Sequence, residues 1–412
     1  MHPRPQTPVN EPLATVRSTA DGWLWDVFCQ VIDNFGDIGV CWRLSADLAA
    51  RGHRVRLWLD DFGALPWMAP GALEGRWPGI SVRAWGEASD FSVLAALEPA
   101  QVWIESFACT LPDAFVAARA HAQRFTGTAA PVWMNLEYLS AENFVERCHG
   151  LPSPVMSGPA KGWTKHFFYP GFTPRTGGLL REPGLLTMRN ARDNAARHQW
   201  LQHHNIVDRG EALVSLFCYA TAPVEQLLSL LCRQGRSVHL LVTAGATQES
   251  VEKAISCLSP DSGSLRMTYL PWFPQTEFDA LLWACDLNFV RGEDSLVRAL
   301  WAGRPFVWQI YPQDDGAHRA KLASFLEALN APVEVRAWHA QWNCLEPLGG
   351  DLELPWGLPQ ADTEAAASDW PGGWRAWAQG TQVQLAQQTD LVTQLCGFVQ
   401  AVGAADLKQK TR

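Results

Sequence analysis

A cationic surplus is missing from this 412-residue chain: 33 lysines and arginines stand against 42 acidic residues, a net charge of −9. Non-specific nucleic-acid binding draws on clustered Lys and Arg, so a general phosphate-backbone binder is disfavoured, and an acidic surface would sooner attract a basic partner. Closely paired cysteines are missing too. The ten, at Cys29, Cys41, Cys109, Cys148, Cys218, Cys232, Cys257, Cys285, Cys344 and Cys396, include no C-x-x-C pair, which argues against a zinc site or a thioredoxin-like motif. Several sit in apolar runs, as in Val27-Phe28-Cys29 and Leu216-Phe217-Cys218, and read as reduced core residues. No membrane span is read either: the most apolar long stretch, Ala212 to Cys232, is interrupted by Pro223, Glu225 and Gln226 and reads as strand, turn and helix. Residues 1–22 are rich in Pro, Thr and Arg without an apolar h-region, so no secretory signal is read there and a disordered tail is expected. These absences predict a soluble, cytoplasmic protein with neither nucleic acid nor membrane as partner.

What is present is a globular composition, 47% hydrophobic and 18% charged, in a length that suits two domains. Trp25–Val31 reads as a strand, followed by a turn-rich loop, a helix from Val40 to Ala50 stopped by Gly52, and a second strand at Val55–Leu59. Further apolar runs at Ile80–Trp85, Val102–Phe107 and Val132–Leu136 alternate with helix-like stretches. Between about Gly150 and Gly184 the chain is dense in Pro and Gly and reads as loops at a domain boundary. Leu186–His204 is polar and helical in pattern. A second alternating series follows, with strands at Leu213–Tyr219, Val238–Ala244, Arg266–Tyr269, Leu287–Val290 and Phe306–Ile310. Asn343–Gly373, rich in Trp, Pro and Gly, has no clear assignment, and Trp377–Val402 reads as an amphipathic helix. Repeated strand–helix alternation predicts two α/β, doubly wound halves, whose ligands bind beyond the carboxyl ends of the strands.

Two strand exits carry the chemistry. Asp33-Asn34-Phe35-Gly36-Asp37-Ile38-Gly39 sets two carboxylates four residues apart among glycines and does not match G-x-G-x-x-G. One carboxylate could act as a general base or bind a cationic substrate; equally, Asp33 and Asp37 could simply cap the following helix, and both readings stand. Arg291-Gly292-Glu293-Asp294-Ser295 leaves the strand before a helix expected from about Leu296 to Ala302, with Asp294 and Ser295 as caps. Free amides there plus the Arg291 guanidinium would form a diphosphate site without a metal. Glu293 is out of place beside phosphate, which suggests contact with sugar hydroxyls or with a cation on the acceptor; an ordinary capped helix with a surface ion pair is the plainer alternative. His318 could be a base or a structural histidine. Pro271-Trp272-Phe273-Pro274-Gln275 offers aromatic rings and an amide to a nucleobase, or only packing.

The run Phe28–Leu44, the run Cys285–Ser295 and the run Trp301–Gln313 resemble those of the bacterial elongation factor P arginine rhamnosyltransferases, a resemblance that extends over most of the chain from about Trp23. Phe35 stands where that family as often has tyrosine. The resemblance implies a GT-B fold: two Rossmann-like domains facing across a cleft, an acceptor domain at 23–190 and a nucleotide-sugar domain at 205–375, with a C-terminal helix at 377–405 crossing back onto the N-terminal domain. It implies an inverting transfer of rhamnose from dTDP-β-L-rhamnose to an arginine of elongation factor P, by a monomer without cofactor or metal. It places catalytic roles on Asp33, Asp37 and Glu293, and donor binding on Phe217, Tyr219, Phe273, Gln275, Arg291, Asp294 and Ser295. Two alternatives are a GT-B enzyme acting on a small molecule or glycan, and a non-catalytic nucleotide-sugar-binding partner; the missing fingerprint disfavours a nicotinamide-dependent oxidoreductase.

Overall fold

Strands that are apolar at nearly every position can only be satisfied by burial on both faces, and that is how the chain uses them. The computed structural model describes residues 22–32, 35–126, 129–233, 237–256, 265–347 and 373–410, without the side chains of 126 and 405–410. Seven strands form the first sheet: β1 Leu24–Cys29, β2 Arg54–Leu59, β3 Ile80–Ala84, β4 Val102–Ser106, β5 Val132–Leu136, β6 Pro152–Pro154 and β7 Thr164–Phe168. Five form the second: β8 Ala212–Leu216, β9 Val238–Val242, β10 Leu265–Tyr269, β11 Leu287–Arg291 and β12 Phe306–Gln309. Every residue of β1, β4, β8, β9 and β11 is buried.

The sheets run β3-β2-β1-β4-β5-β7-β6 and β10-β9-β8-β11-β12. All pairings are parallel except β6 with β7. Each sheet therefore starts at its centre and winds outwards in both directions, which puts a topological switch point between β1 and β4 and another between β8 and β11. Chain leaving those strands diverges to opposite faces and opens a crevice at their carboxyl ends. The Phe35–Gly39 stretch follows β1, Phe217 and Tyr219 follow β8, and Arg291–Ser295 follows β11; the topology alone brings the candidate residues to two facing crevices.

Three expectations need correction. The Pro- and Gly-rich stretch read as loops contains β6 and β7, with β7 extending the sheet beside β5 through Trp133↔Lys165 and Leu136↔Phe168. The two prolines of β6 sit on the sheet edge, where a missing donor costs nothing. Leu186–His204 is not one helix but two, Leu185–Asn190 and Asn194–His203, because the Asp193 side chain accepts from the Ala196 N–H and starts the second afresh. The C-terminal helix is also two, Trp374–Ala386 and Leu391–Lys410. Trp374, Trp377, Ala378 and Leu385 join the core of the second sheet, whereas Leu391, Val392, Leu395 and Val399 enter that of the first. The return crossing thus lies between these helices. It is tied to the outward crossing: Leu391 N–H donates to Leu179 O at 2.9 Å, and Arg181 donates to Ala386 O at 2.6 Å and Gln388 O at 2.9 Å.

The expected tail lies, apart from Gly22, outside the described residues, as does most of Asn343–Gly373. Nine cysteines are described and all are free thiols. Among the described residues no helix is long and apolar enough to cross a membrane. Leu395 is fully buried beneath the first sheet, so Leu395→Ala is expected to lower the unfolding free energy in urea by about 2–5 kcal/mol.

Candidate functional site

The two crevices meet in one cleft of about 690 Å³, part of it open to solvent, lined from the first half by Phe35, Gly36, Arg43, Trp67 and Met68. The seven residues assigned above to donor binding, Phe217, Tyr219, Phe273, Gln275, Arg291, Asp294 and Ser295, all line it from the other side. Two hydrogen bonds hold the loop after β8 in place: Phe217 N–H donates to the backbone Phe289 O at 2.9 Å and Tyr219 N–H to the side-chain Gln309 Oε1 at 2.8 Å. Arg291, 6% exposed, ends β11. Its guanidinium lies 4.6 Å from the ring centre of Phe217, 4.5 Å from Tyr219 and 5.4 Å from Phe35. No acidic side chain among the described residues forms an ion pair with it. Aromatic faces stabilise a cation without consuming its N–H donors, so this guanidinium is positioned and still able to grip an anion.

The helix after β11 runs Gly292–Ala302, one turn earlier than expected, and Asp294 and Ser295 do not cap it. Ser295 Oγ instead accepts from the Arg291 N–H at 3.1 Å and donates to the Arg291 carbonyl, pinning the strand end. Asp294 is drawn away by a stronger partner, Arg43, whose Nε stands 2.8 Å from Asp294 Oδ1. Arg43, 4% exposed, comes from the Gly36–Ala50 helix of the first half and crosses to the second. It donates to both Asp279 oxygens at 3.0 and 3.2 Å and to Gln275 O at 3.3 Å, and it lies 3.5 Å from Glu182. Arg298 grips the same Asp279 at 2.6 and 2.8 Å and Glu182 at 2.6 Å. Burial pushes the Glu182 carboxyl up, but Arg298 and Arg43 outweigh it and hold the group at about 2. For Asp294 burial wins over Arg43 and Arg298, and its pKa is raised.

The halves also meet through uncharged contacts. Gln275 Nε2 donates to Gly39 O at 2.9 Å and to Asp294 Oδ2 at 3.3 Å. A Cβ at Gly39 would stand 3.1 Å from Asp294 Oδ2, so the absence of a side chain there lets the surfaces close. Phe35 and Trp67 pack on Trp272 of the other half, with ring centres 5.4 and 4.5 Å away.

Of the three carboxylates given catalytic roles, Asp33 lies outside the described residues. Asp37 is buried in the first turn of its helix; rather than capping it, Oδ2 reaches back to accept from the Ile32 N–H at 2.9 Å. Glu293 faces a second, smaller cavity between the halves, which Asp294 also lines. Its Oε1 pairs with Lys321 Nζ at 2.6 Å and its Oε2 accepts from the Leu139 N–H at 2.9 Å. Glu293 does form the ion pair of the plainer reading, with a lysine on another helix of the second half, but its other oxygen crosses to the Leu139 backbone of the first half. His318 Nδ1 accepts from the Gln313 N–H at 3.1 Å, a loop-fixing contact.

The family model for the elongation factor P (EF-P) rhamnosyltransferase EarP matches residues 25–400. The chain belongs to that family. A protein-arginine rhamnosyltransferase of Pseudomonas putida is 41% identical over 91% of this chain and 98% of its own, and one of Pseudomonas aeruginosa is 39% identical over 91% and 98%. A protein of the same name from Neisseria meningitidis is 32% identical over 90% and 96%. Among solved structures, one that describes the structural basis for EarP-mediated arginine glycosylation of EF-P superposes with a TM-score of 0.58 at 29% identity, covering 92% of this chain and 99% of that one. The fold is thus GT-B, two parallel-sheet domains across a cleft, and the chain is a glycosyltransferase.

Sequence reasoning missed Arg43, Glu182, Asp279, Gly39 and Trp67. Arg43 lies inside the motif that carries the family resemblance, but its partners are remote in the chain, and no spacing rule connects them. The Glu182 contact has a signed pH consequence. A carboxyl held at about 2 against an ordinary 4.5 stabilises the fold above pH 4.5, and that contribution drains away as pH falls towards 2. The stability gap between the protein and Glu182→Gln, from urea unfolding, should be widest near neutrality and narrow below about pH 4.5; a gap independent of pH would refute the pairing.

Proposed function

We propose that the chain transfers rhamnose from dTDP-β-L-rhamnose to an arginine side chain of elongation factor P in the cytoplasm, acting as a monomer and inverting the anomeric centre. The observation that carries this reading is Arg291, buried among aromatic faces with no carboxylate partner among the described residues, at the cleft of a chain whose relatives are named protein-arginine rhamnosyltransferases. Such a cation suits a diphosphate leaving group, and preorganised donors of this kind are worth about 2.7–4 kcal/mol at developing charge. Phe217, Tyr219, Phe273 and Gln275 surround the same space and suit a nucleotide, while Ser295 holds the strand end on which Arg291 stands and Asp294, on the cleft wall beside it, is held by Arg43 and Gln275. Metal is not needed in this scheme, and EDTA should leave turnover unchanged.

The acceptor poses the harder problem. A guanidinium has a pKa above about 12 and delocalised lone pairs, so it must lose its proton as the C–N bond forms rather than before. Carboxylates can orient the cation and take that proton. Asp37 is assigned as base or nearest electrostatic partner, Asp33 as support for the loop or acceptor, and Glu293 as a contact to sugar or acceptor from the opposite half. General-base action contributes about 10²–10⁴-fold. Asp37→Asn should therefore lower turnover by that factor with dTDP binding retained, and wild-type turnover would remove the assignment. The transfer itself is tested by intact-mass spectrometry of elongation factor P incubated with the protein and dTDP-β-L-rhamnose. One deoxyhexose increment, lost when the acceptor-loop arginine is replaced by lysine, is expected. Binding of the donor without an increment would move the acceptor to a small molecule or glycan.

A further inference from the structure

A guanidinium that reaches from one domain to the other and holds two residues of the cleft wall, Asp294 and Gln275, does more than fill a core. Arg43 grows from the helix whose first turn holds Asp37, and its nitrogens end on Asp294, Asp279 and the Gln275 carbonyl in the other half. Asp294 and Gln275 line the cleft and bond to each other, and Gln275 returns to the same helix at Gly39 O. The helix carrying the acid and the face carrying Arg291 are thereby joined by a closed ring of short polar contacts. We propose that Arg43 is a positioning residue for the transfer: its fork, seated between Asp294 and Asp279, sets the distance and angle between the acceptor-side acid and the donor. Misplacing reacting groups by about 1 Å costs on the order of 10²-fold. The kinetic readout rests on the function proposed above; the joining of the halves does not.

Two substitutions disturb the ring differently. Arg43→Lys keeps the charge but loses the planar fork that satisfies two carboxylates at once. Gly39→Ala removes no charge; it places a Cβ 3.1 Å from Asp294 Oδ2 and 3.3 Å from Gln275 Nε2, prising the faces apart while favouring the helix. With rhamnosylation of elongation factor P as the assay, Arg43→Lys should lower kcat by about 10²-fold, and Gly39→Ala should lower it in the same sense without a lower thermal midpoint. Affinity for dTDP alone, which needs only the donor half, should be unchanged in both. Folded variants with wild-type kcat, or losses of kcat matched by equal losses of dTDP affinity, would overturn the proposal. If the wild-type protein leaves elongation factor P unmodified, the function fails separately, and calorimetry decides the coupling: one unfolding transition in the wild type should split into two in Arg43→Gln, and a single transition retained there would overturn it.

Discussion

A guanidinium removed from water costs several kcal/mol unless carboxylates replace the solvent it has lost. Arg43 is 4% exposed, and its own helix supplies none of its ion-pair partners. The debt is met from the second half and from the segment that crosses between the halves, by Asp294, Asp279 and Glu182. Arg298 shares two of those three and is itself 2% exposed. Removing any one member leaves an uncompensated charge in a low-dielectric setting, which is why such a group behaves as a unit. The relation of the two sheets to each other, and the width of the cleft between them, follow from keeping this cluster whole.

Arg291 shows the opposite treatment of the same side chain, three residues before Asp294, which pairs with Arg43. It is nearly as buried, yet it is offered aromatic faces rather than carboxylates. One arginine has its hydrogen-bonding capacity used up within the fold, and the other keeps it in reserve. The difference between a spent and an available cation here lies wholly in the surroundings, since side chain and burial are alike.

Much of the architecture was readable because the central strands are apolar at nearly every position, a pattern that survives without tertiary information. β7 was not, because Thr164-Lys165-His166 lacks that pattern and takes its place only by pairing with β5. Arg291, Asp294, Ser295, Phe273 and Gln275 stood out as strand-exit chemistry and Phe217 and Tyr219 only through family resemblance, and the fold gathers all seven on one cleft wall. Local chemistry misled at Asp294 and Ser295: both are good capping residues, but a cation from another domain outcompeted the helix amides for one, and the strand end occupied the other. Asp37 was balanced between a cap and a reactive acid, and the structure shows it bracing its own loop through Ile32. Contacts such as Arg43 with Asp279 join positions that no periodicity relates.

The core of the first sheet is finished by Leu391, Val392, Leu395 and Val399, which lie beyond the whole of the second sheet in the chain. During synthesis on the ribosome, the strands up to Phe168 emerge and must wait with part of their apolar face uncovered until the second half has been made. The second sheet, whose last helix ends at Ala386, has its own core complete first. Order of translation and order of completion are therefore reversed, and the half that is made first is the half most exposed to misassociation while the nascent chain grows.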